Sequence, residues 1–267
     1  MISVTVLTKN SEKYLERVLT ALELFNEVLI YDNGSTDRTL EIAKQYPNVK
    51  IHRGEFLGFG PTHNLASSYA KNDWILSVDS DEIVTPSLAD EIRRLSLDPG
   101  TVYSISRNNY YNEKWIRWCG WHPDRCCRLY HKKTTRFSDV DVHESIITKG
   151  LKTKPLQSPL VHFPYENTED FLGKMQIYTD LFAKQNAGKV KSSFSKALTR
   201  AFFTFFKCYI LKRGFLGGAE GFTISLYNSN TVFYKYLKLA EQNRLLQQEP
   251  ERKEKRRKYC VNQEFNS

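Results

Sequence analysis

No stretch of the 267-residue chain reaches the ~18 unbroken apolar residues of a spanning helix. The opening "MISVTVLTKN" lacks a basic segment followed by an apolar one, so no secretion signal is expected. Cysteine is sparse and odd in number: Cys119, Cys126, Cys127, Cys208 and Cys260 form no C-x-x-C pair, which fits a reducing compartment better than a disulfide framework. There is no G-x-x-x-x-G-K-[ST] phosphate loop. Gly58-Phe59-Gly60 runs into proline rather than opening a G-x-G-x-x-G turn, so neither an ATPase nor a dinucleotide enzyme is supported. No recognised nucleic-acid motif occurs, and no nucleic-acid partner is expected, although a basic nucleic-acid-binding protein is the distant alternative.

What is present is an ordinary folded composition, 40% hydrophobic and 26% charged, with a lopsided charge. Residues 1–100 carry 10 Lys/Arg against 15 Asp/Glu; residues 101–267 carry 29 against 15. The basic part points to a polyanionic partner such as nucleic acid, anionic lipid or a phosphorylated acceptor, or serves only solubility.

In the first hundred residues, short β-branched runs alternate with helical patterns. "ISVTVLT" leads to a helix with Leu15, Val18, Leu19 and Leu22 in phase, with Asn10 or Ser11 as its cap. Val28–Tyr31 leads to a second helix capped by Thr36 or Asp37, "VKIHRG" to a third over "GPTHNLASSYA", and "DWILSVDSDE" is a fourth strand. Such short connections imply parallel strands joined by right-handed crossovers, an α/β sheet covered on both faces. Ligands bind beyond the carboxyl ends of such strands. The clusters there are "TKN", "DNGSTD" and "DSDE". Asp32 suits hydrogen bonding to a base or ribose, while Asp79 and Asp81 straddle one residue and can turn toward one hard cation carrying substrate phosphates.

"VTVLTKNSEKYLERVLTAL", "VLIYDNGSTDRT" and "GFGPTHNLASSYAKNDWILSVDSDE" resemble the nucleotide-sugar-binding half of family 2 glycosyltransferases. That resemblance implies the GT-A fold: a Rossmann-like, mostly parallel sheet covered by helices. It also implies a UDP-sugar donor and a divalent metal, Mn2+ or Mg2+, held through the D-x-D. By position, Thr8, Asn10 and Asp32 would line the uridine pocket, Arg53 and Asn64 would lie near the base or diphosphate, and Asp79 near the ribose or metal. Asp81 would be the direct metal ligand.

Further on, "WCGWHPDRCCRLY" combines Trp118, Trp121, His122 and Asp124, a set that suits a sugar-binding loop or simply core. "VHES" places His143 beside Glu144. The order "GW-P-D-x-x-x-RLY", "VHES", "HFPYENTEDFLGKMQIYTDLFA" and "LKRGFLGGAEGF" resembles the lipopolysaccharide-core β-1,4-glucosyltransferase subgroup. The donor would then be UDP-glucose and the acceptor an inner-core heptose on lipid A–Kdo. Trp121, His122, Arg128 and His162 are the acceptor-side candidates. An inverting transfer needs a base distinct from the metal ligands; Glu144 is the first choice and Asp124 the second. His143 or His162 would complete the metal shell or bind diphosphate. A UDP-hexose transferase of capsule or O-antigen synthesis is the alternative.

Three regions are expected: a GT-A catalytic domain over 1–165, a helical, basic, aromatic-rich extension over 166–248, and a disordered basic tail over 249–267. The extension is either core packed on the sheet or a helix lying in an anionic membrane surface. The second case would place the protein peripherally on the cytoplasmic face of the inner membrane.

Overall fold

The computed structural model describes residues 1–139, 145–165 and 167–264, from 249 onward as backbone only. The chain divides into two compact units, Met1–Trp115 with Trp121–Pro164, and Ile116–Gly120 with Tyr165–Ser267.

The first unit is an α/β sheet built on β1 (Ile2–Thr8), whose apolar Val4 and Val6 and small polar Ser3 and Thr5 are all buried. A strand buried on both faces belongs at the middle of a parallel sheet. β1 pairs parallel with β2 (Val28–Asp32) on one side and β4 (Trp74–Asp79) on the other, and β2 pairs parallel with β3 (Val49–Arg53). The connecting helices are α1 (Glu12–Ala21), α2 (Thr39–Ala43) and α3 (Phe59–Tyr69). α1 buries Leu15, Val18 and Leu19, the stripe that helical periodicity predicts.

Beyond β4 the chain forms β5 (Glu82–Val84), α4 (Pro86–Arg93), β6 (Thr101–Tyr111), β7 (Lys114–Trp115), β8 (Arg125–His131), β9 (Lys152–Pro155) and β10 (Leu160–His162). The sheet order is β3-β2-β1-β4-β8-β6-β10-β5, with β7 and β9 also on β6. β8 runs antiparallel between β4 and β6, and β5 antiparallel on β10. The order reverses between β1 and β4, which opens the crevice where open α/β sheets bind ligands. Register carries the polar clusters to that edge: Thr8 lies opposite Asp32, Leu7 opposite Asp79, and Asp32 opposite Arg53.

Two cap expectations are corrected. Ser11 stands at the start of α1, but its hydroxyl donates to Ser80 Oγ (2.9 Å) and caps no helical amide. Arg38, not Thr36 or Asp37, precedes α2; the Asp37 carboxylate accepts from the amides of both Thr39 and Glu12 (3.1 Å each), serving two helix starts at once.

The second unit is helical: α5 (Thr168–Asn186), α6 (Phe194–Phe206), a π-helical turn (Lys207–Leu211), a 3-10 turn (Gly214–Gly217) and α7 (Gly218–Glu264). Asn167 Oδ1 accepts from the Asp170 amide and Ser193 Oγ from the Lys196 amide, capping α5 and α6. Ile116–Gly120 is woven into this unit, with the Cys119 amide donating to Lys212 O (3.0 Å) and its thiol to Gly221 O (3.3 Å). α5 buries Phe171 but leaves Ile177 and Tyr178 exposed. α7 continues as helix through residues 249–264 of the basic tail, where the sequence pattern suggests disorder. The four described cysteines are free.

Candidate active site

At the carboxyl ends of β1 and β2, the loops "TKN" and "DNGSTD" are sewn together. Asp32, fully buried, accepts from Thr8 Oγ1 (3.2 Å), from the Gly34 and Ser35 amides (3.1 Å each) and from the Ser35 hydroxyl. Gly34 sits at φ +90°, which lets the turn fold back onto that carboxylate. Asn10, at φ 52°, accepts from the Thr36 amide (2.8 Å) and donates its own amide to Ser35 Oγ (2.9 Å). Asp32 therefore shapes this loop, and the group it turns toward solvent is its neighbour: the exposed Arg53 guanidinium, 3.8 Å from Asp32 Oδ2.

The next cluster is a knot of charge at the same edge. Arg128, buried on β8, pairs through Nη2 with Asp79 Oδ2 and Glu82 Oε1. Arg107 on β6 reaches Glu82 Oε1 (3.3 Å) and grips Asp124 bidentately, Nε to Oδ2 at 3.0 Å and Nη2 to Oδ1 at 3.2 Å. Burial opposes the charge on Asp79, but the Arg128 guanidinium outweighs it and holds that carboxyl well below the usual carboxylate range. Burial and the nearby Asp79 push Glu82 the other way, above its ordinary value. Asp124 is also partly desolvated, yet hydrogen bonds from Arg107 and Asn109 hold it low.

A hydrogen-bond chain then fixes His162. Asn109 Nδ2 donates to Trp121 O and to Asp124 Oδ2 (3.0 Å each), so its amide orientation is set by two acceptors. Asn109 Oδ1 consequently faces His162 Nδ1 at 2.6 Å, which must carry the proton. Burial, and then the charge of Arg107, lower the His162 pKa to about 3, so the ring is neutral at pH 7. Its Nε2 lone pair therefore faces Asp81 Oδ1 at 3.7 Å. That separation is too long for a hydrogen bond. It lies between the ~3.0 and ~4.2 Å expected for right-angle and opposed donors on a cation with ~2.1 Å bonds.

Among the described residues no three His, Cys, Asp or Glu side chains form a ready-made shell. Asp81 and His162 would be the protein's share, leaving positions for phosphate oxygens and water, as magnesium-type sites do.

The sequence candidates sort accordingly. Thr8, Asn10, Asp32, Arg53, Asp79, Asp81, Asp124 and His162 gather at the predicted edge. Arg128, expected on the acceptor side, is a buried partner of Asp79 and Glu82. The Asn64 amide clasps the backbone of Phe137 in both directions (2.8 and 3.0 Å). Trp121 lends its carbonyl to Asn109, while His122 is exposed and edge-on to Trp115 at 5.5 Å. Trp118 belongs to the helical unit, against Gly217. Glu144 and His143 lie outside the described residues. Arg107, Asn109 and Glu82 are the residues that sequence reasoning passed over. Their signal was the polar run "SRNN" inside an otherwise apolar strand, and the last acid of "DSDE".

Residues 3–151 match the model of glycosyl transferase family 2, and the chain belongs to that family. It is a glycosyltransferase that draws on a nucleotide sugar, with a GT-A-type fold. A glycosyltransferase of Rickettsia typhi is 29% identical over 255 residues, covering 90% of this chain and 87% of that one. The lipopolysaccharide core biosynthesis glycosyltransferase LpsC of Rhizobium meliloti is 22% identical over 258 residues, covering 91% and 93%. The poly(ribitol-phosphate) β-N-acetylglucosaminyltransferase TarS of Staphylococcus aureus is 37% identical over 189 residues, 66% of this chain but 32% of that protein. Among solved structures, a mannosyltransferase of Pyrobaculum calidifontis in complex with GDP-mannose and Mn2+ shares the fold at a TM-score of 0.50 and 19% identity, covering 91% and 86% of the two chains.

Proposed function

We propose that the protein is an inverting, metal-dependent transferase that moves glucose from UDP-glucose to an inner-core heptose of lipopolysaccharide or lipooligosaccharide. The observation that carries the metal-dependent part is the neutral His162 Nε2 facing Asp81 across 3.7 Å, beside the loops of Asp32 and Arg53. The acceptor rests on the order of motifs from "GW-P-D" to "LKRGFLGGAEGF" and on the likeness to LpsC over about nine-tenths of each chain. Asp81 and His162 would hold a cation, which would offset the negative charge developing on the departing UDP. Arg53 would pair with the base side of the donor or its diphosphate, and Asp79, with Oδ2 tied to Arg128, would present Oδ1 to the ribose.

In a single displacement the acceptor oxygen bonds to the anomeric carbon as the carbon–oxygen bond to UDP breaks, and a carboxylate takes the hydroxyl proton. Glu144 is assigned that proton from its place in "VHES". Asp124 is the weaker candidate because Arg107 and Asn109 occupy its oxygens and hold it low, which makes it a poor acceptor near pH 7. A lipid-linked acceptor would place the work at the cytoplasmic face of the inner membrane.

A second reading, a different UDP-hexose delivered to capsule or O-antigen, draws on the stretch shared with TarS, whose name specifies N-acetylglucosamine. Calorimetric titration with UDP-glucose, UDP-galactose and UDP-N-acetylglucosamine, with and without Mn2+, separates the two. UDP-glucose should bind tightest, and only with Mn2+. Tighter binding of another sugar refutes the donor assignment, and binding indifferent to Mn2+ in both wild type and Asp81→Asn refutes the metal site.

A further inference from the structure

α6 is amphipathic the wrong way round for a water-facing helix. It buries its alanines, Ala197 at 0% and Ala201 at 7% exposure, and turns its phenylalanines outward, Phe202 at 69% and Phe203 at 65%. Ser229 on α7 donates to Ala201 O (2.8 Å), so the small-residue side is the one seated on α7. Leu198, Phe202 and Phe206 repeat every fourth residue along the exposed side.

The apolar surface continues past the helix. Phe205 and Tyr209 stack at 5.3 Å, and Tyr209 meets the rings of Phe222 (5.7 Å) and Phe215 (6.4 Å), both half exposed, with Leu216 exposed between them in sequence.

Charge is distributed to match one partner. From residue 181 to 219 there is no aspartate or glutamate, while eight lysines and arginines occur. Lys196, Arg200 and Lys207 recur at helical spacing on the stripe beside the phenylalanines, and Lys207, Lys212 and Arg213 are exposed around the turns. A protein partner for an apolar face needs no such exclusion of acids. An anionic bilayer does, because each carboxylate would be repelled by the headgroups while each cation gains. No helix among the described residues is long and apolar enough to cross a membrane, so the surface can only lie in the interface plane.

We propose that this face, formed by α6, the two turns that follow and the first turns of α7, docks in the headgroup layer of an anionic membrane, with Phe202, Phe203 and Phe206 inserted and Lys207, Lys212 and Arg213 against lipid phosphate. The proposal goes beyond the transfer reaction and holds whichever sugar is moved.

Flotation of the full chain with phosphatidylglycerol-containing and pure phosphatidylcholine vesicles at ~0.1 M salt tests it. The chain should float with the anionic vesicles alone. Phe202→Ser/Phe203→Ser should weaken association by roughly tenfold or more. Lys207→Glu/Lys212→Glu should weaken it by roughly fivefold or more per charge, as added salt does. Circular dichroism and UDP-sugar titration on the same samples should be unchanged in both variants, which separates loss of docking from misfolding or loss of the donor site. A chain that ignores anionic vesicles, or that floats equally well after the phenylalanine substitutions, overturns the proposal. So does a dimer that those substitutions dissolve, which would put a second copy of the chain on this face.

Discussion

Arg128 has two carboxylates and little water. With Asp79 and Glu82 on its guanidinium and Nε without a partner among the described residues, it is a charge whose removal leaves the fully buried Glu82 and the half-buried Asp79 uncompensated. Arg128→Met should cost about 3–5 kcal/mol in denaturant unfolding. Arg128→Lys should recover little, since one ammonium cannot reproduce the planar fork. Asn109 works through another residue: it fixes the His162 proton on Nδ1 and so aims Nε2 at Asp81. Asn109→Ala should weaken Mn2+ binding, read by electron paramagnetic resonance titration, about 10- to 100-fold while unfolding stays cooperative. Unchanged Mn2+ affinity would detach Asn109 from the proposed metal site. At this scale the motif "DSDE" was legible, but its division was not. Residues 80 and 81 form the turn between β4 and β5, which sends Asp79 to Arg128, Asp81 toward His162 and Glu82 into the interior.

Elements are held at the opposite edge of the sheet by Glu27, just before β2. It accepts from Ser3 on β1, from Lys50 on β3 (2.8 Å) and from the Lys71 amide ahead of β4 (2.7 Å), joining the starts of four parallel strands. Burial raises its pKa, but those hydrogen bonds outweigh it and hold the carboxyl below its ordinary 4.5. A depressed folded-state value means that the contribution is complete above pH 4.5 and is lost as pH falls through the lower folded value. Glu27→Gln should therefore lower stability by about 1–3 kcal/mol at pH 7. The gap from wild type should narrow as unfolding is followed below pH 4.5; a gap that widens in acid would refute the linkage. Strands and helices of this unit were readable because period and burial coincide: β2 is buried at every position and α1 along one stripe. Helix caps were not, because Asp37 accepts from the first amides of two helices at once and Ser11 bonds across to Ser80.

At the scale of the whole molecule, the charge asymmetry divides tasks: the acidic first hundred residues contribute Asp32, Asp79, Asp81 and Glu82, while the acid-free span from 181 to 219 carries the exposed phenylalanines. The vesicle experiment is the test at this scale, because it asks what the basic excess is for. By itself the sequence determined the strand–helix alternation, the edge where the polar clusters collect and the family, since each depends on local periodicity and short motifs. Only the tertiary structure decided which polar residues serve the site and which serve the frame. Asn64 and Phe137 are 73 positions apart, Arg128 and Asp79 are 49, and a side chain's partner across such separations is set by strand order and register, which no local pattern encodes. The outward turn of α6 was settled in the same way: its alanines fit closely on α7, and the phenylalanines are left on the other side.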